Sequence, residues 1–203
     1  MILNSSITVG ITIVIVAFLI GSIPFGLILS KLFWGTDPRD EGSGGIGFTN
    51  VMRTVNKKAA FVTLTFDTLK GTLSVLIAKQ AVPTVFWISV VALAAILGHI
   101  FPIYLKFKGG KGVATGFGVL LGISPAVAIM TFLIWNGVYF IWKYSSLAGL
   151  VSFALLPLTF LILGEKEYLL FSFLVTGIIY SKHLENIKRL IEGTEKRMSS
   201  QSK

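Results

Sequence analysis

The chain has 203 residues, of which 54% are hydrophobic and only 13% charged. Soluble domains usually carry about 25% charged residues, so this composition cannot supply a water-facing surface, and lipid must cover most of it. Cysteine is absent, which excludes disulfides, iron–sulfur clusters and thiolate catalysis, and two histidines, His99 and His183, are too few for a histidine-rich metal site. The net charge of +9 does not point to nucleic acid, because the basic residues flank apolar runs and report orientation in a membrane.

The first apolar run covers about residues 7–33. No Lys or Arg precedes it and it is too long for a signal peptide. Its first positive charge, Lys31, comes at the far end, which places the N-terminus outside and the next loop in the cytoplasm. Further spans are expected at about 59–79, 84–105, 112–123, 125–142, 147–163 and 167–182. Residues 112–142 form either one long helix or two turning at Ser124-Pro125. Two is the better reading, since a 31-residue helix overshoots the hydrocarbon core and proline disfavours helix geometry before it. The expected fold is therefore all-α, one membrane-integral domain over 1–203 with seven transmembrane helices and a cytoplasmic C-terminus.

Charge supports that count. With seven spans the inner segments are 34–58, 106–111, 143–146 and the tail from 183, which hold most of the basic residues, Lys203 included. The outer turns hold little beyond Lys79 and Lys166. A sixth-span ending would export the basic tail and spoil the asymmetry.

Every long polar segment then falls on one face. The first, residues 36–53 (TDPRDEGSGGIGFTNVMR), carries Gly42, Gly44, Gly45 and Gly47 with Ser43 among them, and Thr49, Asn50 and Arg53 close behind. Glycine admits positive φ, and successive backbone N–H groups can form an anion-binding nest. The plain alternative is a flexible linker, although linkers seldom carry Asn and Arg so near. Residues 42–47 also match the dinucleotide pattern G-x-G-x-x-G, but no strand precedes them, so the match is fortuitous.

The second segment, residues 98–115 (GHIFPIYLKFKGGKGVAT), lacks the G-x-x-x-x-G-K-[ST] spacing of a nucleotide-binding loop. Its Gly109-Gly110-Lys111-Gly112 immediately precedes the fourth span, where free N–H groups and a helix dipole would favour an anion beside Lys111. The bland reading makes Lys106, Lys108 and Lys111 topology signals or headgroup contacts. In the third segment, residues 182–195, a helix would put His183 and Asn186 on one face, candidates for acid–base work. Asp67 and Lys70 lie inside the second span, at a spacing that lets them neutralise each other as a structural pair. Several cations, a glycine-rich nest, hydroxyls and a histidine at a membrane boundary suit a phosphorylated soluble substrate meeting an apolar one.

At these loops the sequence resembles the bacterial acyl-phosphate:glycerol-3-phosphate acyltransferase family. The matching residues are Gly21 to Gly26, Asp37 to Arg39, Gly42 to Gly44, Thr49 to Arg53, Phe66-Asp67 to Lys70-Gly71, Gly98-His99, Phe107 to Thr115, and His183 to Leu190 with Gly193 and Glu195. Two positions depart, since the family usually has Asn at Gly45 and a small residue at Phe48. The resemblance implies phospholipid synthesis in the bacterial inner membrane, with an active site facing the cytoplasm. The primary hydroxyl of glycerol 3-phosphate attacks the acyl carbonyl of acyl-phosphate, giving 1-acyl-glycerol 3-phosphate (lysophosphatidic acid) and phosphate. No cofactor or metal is implied, and neither coenzyme A nor acyl carrier protein is the direct donor. Acyltransferases using those donors carry His-x-x-x-x-Asp, whereas His99 is followed five residues on by Tyr104 and His183 by Lys188.

The catalytic residues so implied are Ser43, Arg53, Lys111, His183 and Asn186. Substrate binding falls to Gly42, Gly44, Gly47, Thr49, Asn50, His99, Gly109, Gly110 and Gly112. Either His183 or a substrate phosphate oxygen is the base. The rival of another class is a transporter or exchanger of organic phosphates, which should show internal repeats and polar helices at mid-depth.

Overall fold

The computed structural model describes residues 2–198, so Lys203 of the basic tail lies outside the described residues. The described chain is helical, without a strand, and packs as two compact units, Met1–Ser124 and Pro125–Lys203.

The first unit begins with α1 (Ile2–Ser22) and α2 (Phe25–Trp34), which together make one apolar span, Ser6–Trp34, interrupted at Ile23-Pro24. By hydropathy alone this run is unbroken. Pro24 has no N–H to continue the ladder, which explains the interruption. After the glycine-rich loop come α3 (Phe48–Thr54) and α4 (Lys57–Ala81), separated by Asn56, whose side chain accepts the Ala59 N–H and starts α4. Next are α5 (Val85–Ile100), capped by Thr84, a 3-10 turn over Ile103–Leu105, and α6 (Val113–Ile123).

Two close helix pairs organise this unit. A Cβ at Gly71 of α4 would collide with the Thr115 carbonyl oxygen of α6, and one at Gly118 of α6 with the Thr68 carbonyl oxygen of α4. A Cβ at Gly98 of α5 would likewise strike the Phe18 carbonyl oxygen of α1, and one at Gly21 of α1 the Ala95 carbonyl oxygen. In lipid no hydrophobic force drives helices together, so small residues that allow backbones to touch do that work.

The second unit holds α7 (Pro125–Trp142), α8 (Ser145–Ala154), α9 (Leu156–Ile162), α10 (Leu169–Ser181) and α11 (Leu184–Ile191). The turn expected at Ser124-Pro125 is present, with Ser124 extended and Pro125 opening α7. The expected span over 147–163 is two helices bent by 45°, with Pro157 at the start of α9.

Among the described residues four helical segments are long and apolar enough to cross a membrane: Ser6–Trp34, Lys57–Ala81, Val85–Leu105 and Pro125–Trp142. The bent α8–α9 pair makes a fifth if it counts as one span. At 1.5 Å per residue the 11 residues of α6 rise about 16 Å and the 13 of α10 about 20 Å, each short of the roughly 30 Å hydrocarbon core.

Candidate active site

Within α4 a helical repeat of polar residues, Thr63, Asp67, Lys70 and Ser74, runs along one buried face; each is at most 2% exposed. Lys70 Nζ lies 2.8 Å from Asp67 Oδ1, the pair expected from their spacing. The same ammonium donates to the Ile23 carbonyl oxygen at 2.9 Å, satisfying an acceptor at the α1–α2 break. The sequence reading recognised Asp67 and Lys70 but not the whole stripe. Its signal is the spacing i, i+4, i+7 and i+11, which puts these four on one face of the helix.

The stripe braces the segments that carry the candidate site residues of this unit. At Thr63, α4 meets Gly26 of α2, which a Cβ would drive into the Thr63 methyl and the Ile46 carbonyl oxygen of the glycine-rich loop. At Asp67 it meets His99 of α5, with Nδ1 at 3.6 Å from Oδ1. Beyond His99 lies the lysine loop. Gly109 and Gly110 donate their N–H groups to the Ile100 and His99 carbonyl oxygens, both at 3.1 Å, and a Cβ at Gly110 would strike His99 Nε2.

Asn50 organises the glycine-rich loop from the first turn of α3. Its Oδ1 accepts the Ser43 N–H at 2.8 Å and the Ser43 hydroxyl at 3.2 Å. Its Nδ2 donates to the Pro38 and Gly45 carbonyl oxygens, with a longer 3.3 Å contact to that of Glu41. Asn50 is 4% exposed, and this bonding ties it to the loop itself. Gly42 and Gly44 stand at φ +70° and +66°, a left-handed geometry that side chains rarely adopt. Asp37 anchors the loop's entry through ion pairs to Lys31 at 2.8 Å and Arg39 at 2.7 Å. The Arg39 hydrogen bonds hold the Asp37 carboxyl well below the usual carboxylate range.

The nest reading of this loop is narrowed, because the Ser43 N–H goes to Asn50 and the Gly44 N–H to the Glu41 carbonyl oxygen. Gly47 stands immediately before α3, Thr49 in its first turn and Arg53 in its last. Thr49 and Arg53 are half-buried, while Ser43 is exposed. Lys111, also half-buried, precedes Gly112 (φ +88°), from which α6 starts as expected. His99 is enclosed at 4% exposure, with Asp67 at its Nδ1 and Gly110 at its Nε2, so it sits behind the lysine loop.

In the second unit His183 ends the turn after α10 and Asn186 lies in the first turn of α11, both buried. The His183 Nδ1–H donates to the Ile179 carbonyl oxygen at 2.8 Å, which puts the neutral ring's lone pair on Nε2. Asn186 Nδ2 donates to Glu195 Oε1 at 2.8 Å, Ser146 Oγ donates to the same oxygen at 2.7 Å, and Arg189 Nε donates to Oε2 at 2.7 Å. Burial alone pushes the Glu195 carboxyl up, but these three donors and the Arg189 charge outweigh it and hold it below its ordinary value. Ser146 carries no signal in the sequence, because serines at the start of an apolar helix read as ordinary N-terminal residues.

Residues 11–193 match the model of a family described as glycerol-3-phosphate acyltransferase, a match that crosses both units. The chain is 44% identical over 200 residues to the glycerol-3-phosphate acyltransferase of Allorhizobium ampelinum, covering 95% of this chain and 94% of that one. It is 46% identical over 188 residues to that of Agrobacterium fabrum, covering 91% and 89%. The fold resembles the crystal structure of PlsY (YgiH), an integral membrane glycerol 3-phosphate acyltransferase, in its glycerol 3-phosphate form. There the TM-score is 0.88 at 38% identity, covering 93% of this chain and 94% of that one. For the lysophosphatidic acid form the TM-score is 0.86 at 37% identity. The transporter reading therefore falls, and the chain belongs to the glycerol-3-phosphate acyltransferase family, as an integral membrane enzyme of lipid synthesis.

Proposed function

We propose that this enzyme transfers a fatty acyl group from acyl-phosphate to the primary hydroxyl of glycerol 3-phosphate, releasing phosphate and lysophosphatidic acid. The likeness to a solved acyltransferase in its glycerol 3-phosphate form carries the reading. A mixed anhydride already has a good leaving group, so the protein's work is to position two phosphates and stabilise the oxyanion. Arg53 and Lys111 supply the cations. Ser43 and Thr49 supply hydroxyls for the substrates or the tetrahedral intermediate, and the backbone of Gly47 and Gly109 to Gly112 approaches them closely. Proton transfer falls to His183, oriented with Asn186, or to a substrate phosphate oxygen. The seven-helix arrangement with an outer N-terminus and an inner C-terminus, in the bacterial inner membrane, belongs to this proposal and draws its support from the basic loops.

The first unit offers an apolar surface suited to an acyl chain. A groove of about 450 Å³, lined by Ile23, Pro24, Leu27, Ile28, Tyr104 and Leu105, is almost wholly apolar. Its lining residue Leu105 immediately precedes Lys106, where the lysine loop begins. That adjacency suits a molecule with an apolar tail and a phosphate head.

The test is direct. Purified protein receives acyl-phosphate and radiolabelled glycerol 3-phosphate without coenzyme A, and labelled lysophosphatidic acid is expected. Product that forms only with acyl-coenzyme A or acyl carrier protein would overturn the donor. Arg53→Ala and Lys111→Ala should each suppress turnover in folded protein, and full activity in both would overturn the site.

A further inference from the structure

We propose that Asp67, Lys70 and His99 act together as positioning residues for the lysine loop, bracing Gly110 and thereby setting where Lys111 stands. The inference rests on the acyl-transfer reading above and assigns it residues that do not touch substrate. Three observations carry it. Lys70 is tied both to Asp67 at 2.8 Å and to the Ile23 carbonyl at 2.9 Å, so the α4 pair cannot swing away from the α1–α2 break. His99 sets Nδ1 at 3.6 Å from the Asp67 carboxylate and its opposite nitrogen against the Gly110 α-carbon, so the ring fills the space between carboxylate and loop. The loop itself is held to α5 by the Gly109 and Gly110 N–H groups, one residue before Lys111.

A pair of charges and an imidazole buried at 2–4% exposure in membrane helices are costly to place. A purely structural helix contact would be met more cheaply by small or apolar residues, as at Gly71 and Gly118. What the polar cluster adds is a fixed, close-packed support behind a loop that must meet a phosphate. Misplacement of a binding group by about 1 Å can cost on the order of a hundredfold in rate.

The experiment is a double-mutant cycle between His99 and Gly110 in the full-length protein in detergent, read by calorimetric titration of glycerol 3-phosphate and by KM and kcat. His99→Ala should raise Kd and KM for glycerol 3-phosphate about tenfold with a smaller change in kcat. Gly110→Ala should do at least as much, because its methyl must displace the ring. The combined variant should bind no worse than Gly110→Ala alone, since removing the ring makes room for the methyl. Losses that multiply would overturn the proposal, as would an unchanged Kd for His99→Ala. Should His99→Ala fail to fold, Asp67→Asn, which keeps shape and removes the charge, must show the same rise in KM, and an unaltered KM would overturn it. Wild-type protein that binds no glycerol 3-phosphate would overturn the acyl-transfer reading itself, a result distinct from additivity in the cycle.

Discussion

Asn50 Oδ1 accepts two hydrogen bonds from Ser43, one from its backbone N–H and one from its hydroxyl, so a single amide fixes both the fold of the glycine-rich loop and the aim of its serine. Asn50→Ala would remove those bonds and leave the Pro38 and Gly45 carbonyls without their partner. Each such bond is worth about 1 kcal/mol net. The expected result is a loop newly open to limited proteolysis and a rate of acyl transfer lowered more than about tenfold, with the helix content by circular dichroism intact.

Gly45 stands where the family resemblance implies Asn, and the structure leaves room there for a Cβ. A Cβ there would lie 3.4 Å from Ser43 Oγ, an ordinary contact, and the backbone is not left-handed. Gly45→Asn is expected to change stability by no more than about 0.5 kcal/mol, checked by the thermal midpoint in detergent. The companion departure, Phe48, is a packing residue, its ring 5.6 Å from Phe61 and set edge-on between α3 and α4. Phe48 is half-buried, so Phe48→Ala should destabilise by about 1–2 kcal/mol, less than the loss of a fully buried phenylalanine.

Much of this molecule was legible in advance. The helix boundary at Ser124-Pro125, the start of α6 after Gly112 and the Asp67–Lys70 pair all follow from residue types with strong local rules. Pro24 and Pro157 mark the interruption at Ile23-Pro24 and the bend between α8 and α9, but hydropathy averages over a span and masks a kink inside it. The enclosure of His99 was hidden too. Which way a histidine faces depends on Asp67 and Gly110, which come from elsewhere in the chain and meet it only after packing.

Close helix contact makes an unequal pair of glycine variants. Gly118→Ala would push a methyl into the Thr68 carbonyl and part α6 from α4, at a cost of about 1–3 kcal/mol. Gly177 of α10 has nothing within 4 Å of a Cβ position, so Gly177→Ala should be neutral or stabilising by up to about 1 kcal/mol. Midpoints of thermal unfolding for the two variants side by side decide the matter.

Glu195 gives the second unit a pH signature. Its carboxyl is held below its ordinary value of 4.5, so the stabilisation it confers is complete above that pH and is lost as pH falls through the lower, folded value. Between pH 7 and pH 3 the wild-type thermal midpoint should fall further than that of Glu195→Gln, which starts lower and loses less.

His183→Ala addresses the base. If the imidazole accepts the proton, kcat should fall by about a hundredfold or more and the acid limb of the pH–rate profile should vanish. A rate lowered through KM alone, with that limb intact, assigns the proton to a substrate phosphate.

The hydrogen bond from Lys70 to Ile23 also bears on how the chain is made. Alone, the helix from Lys57 to Ala81 is the least apolar of the four long spans, with a hydropathy of 1.3, and it carries a buried ammonium and carboxylate. A charge at the centre of a lone helix costs about 2.5–3.5 kcal/mol on translocon scales. The first span meanwhile presents the Ile23 carbonyl at its proline, which accepts the Phe25 N–H at 3.1 Å and has a second lone pair for the ammonium. The Lys70 ammonium finds an acceptor on the first span, so the two segments should leave the insertion machinery for lipid as a couple, with the earlier one waiting in the channel for the later.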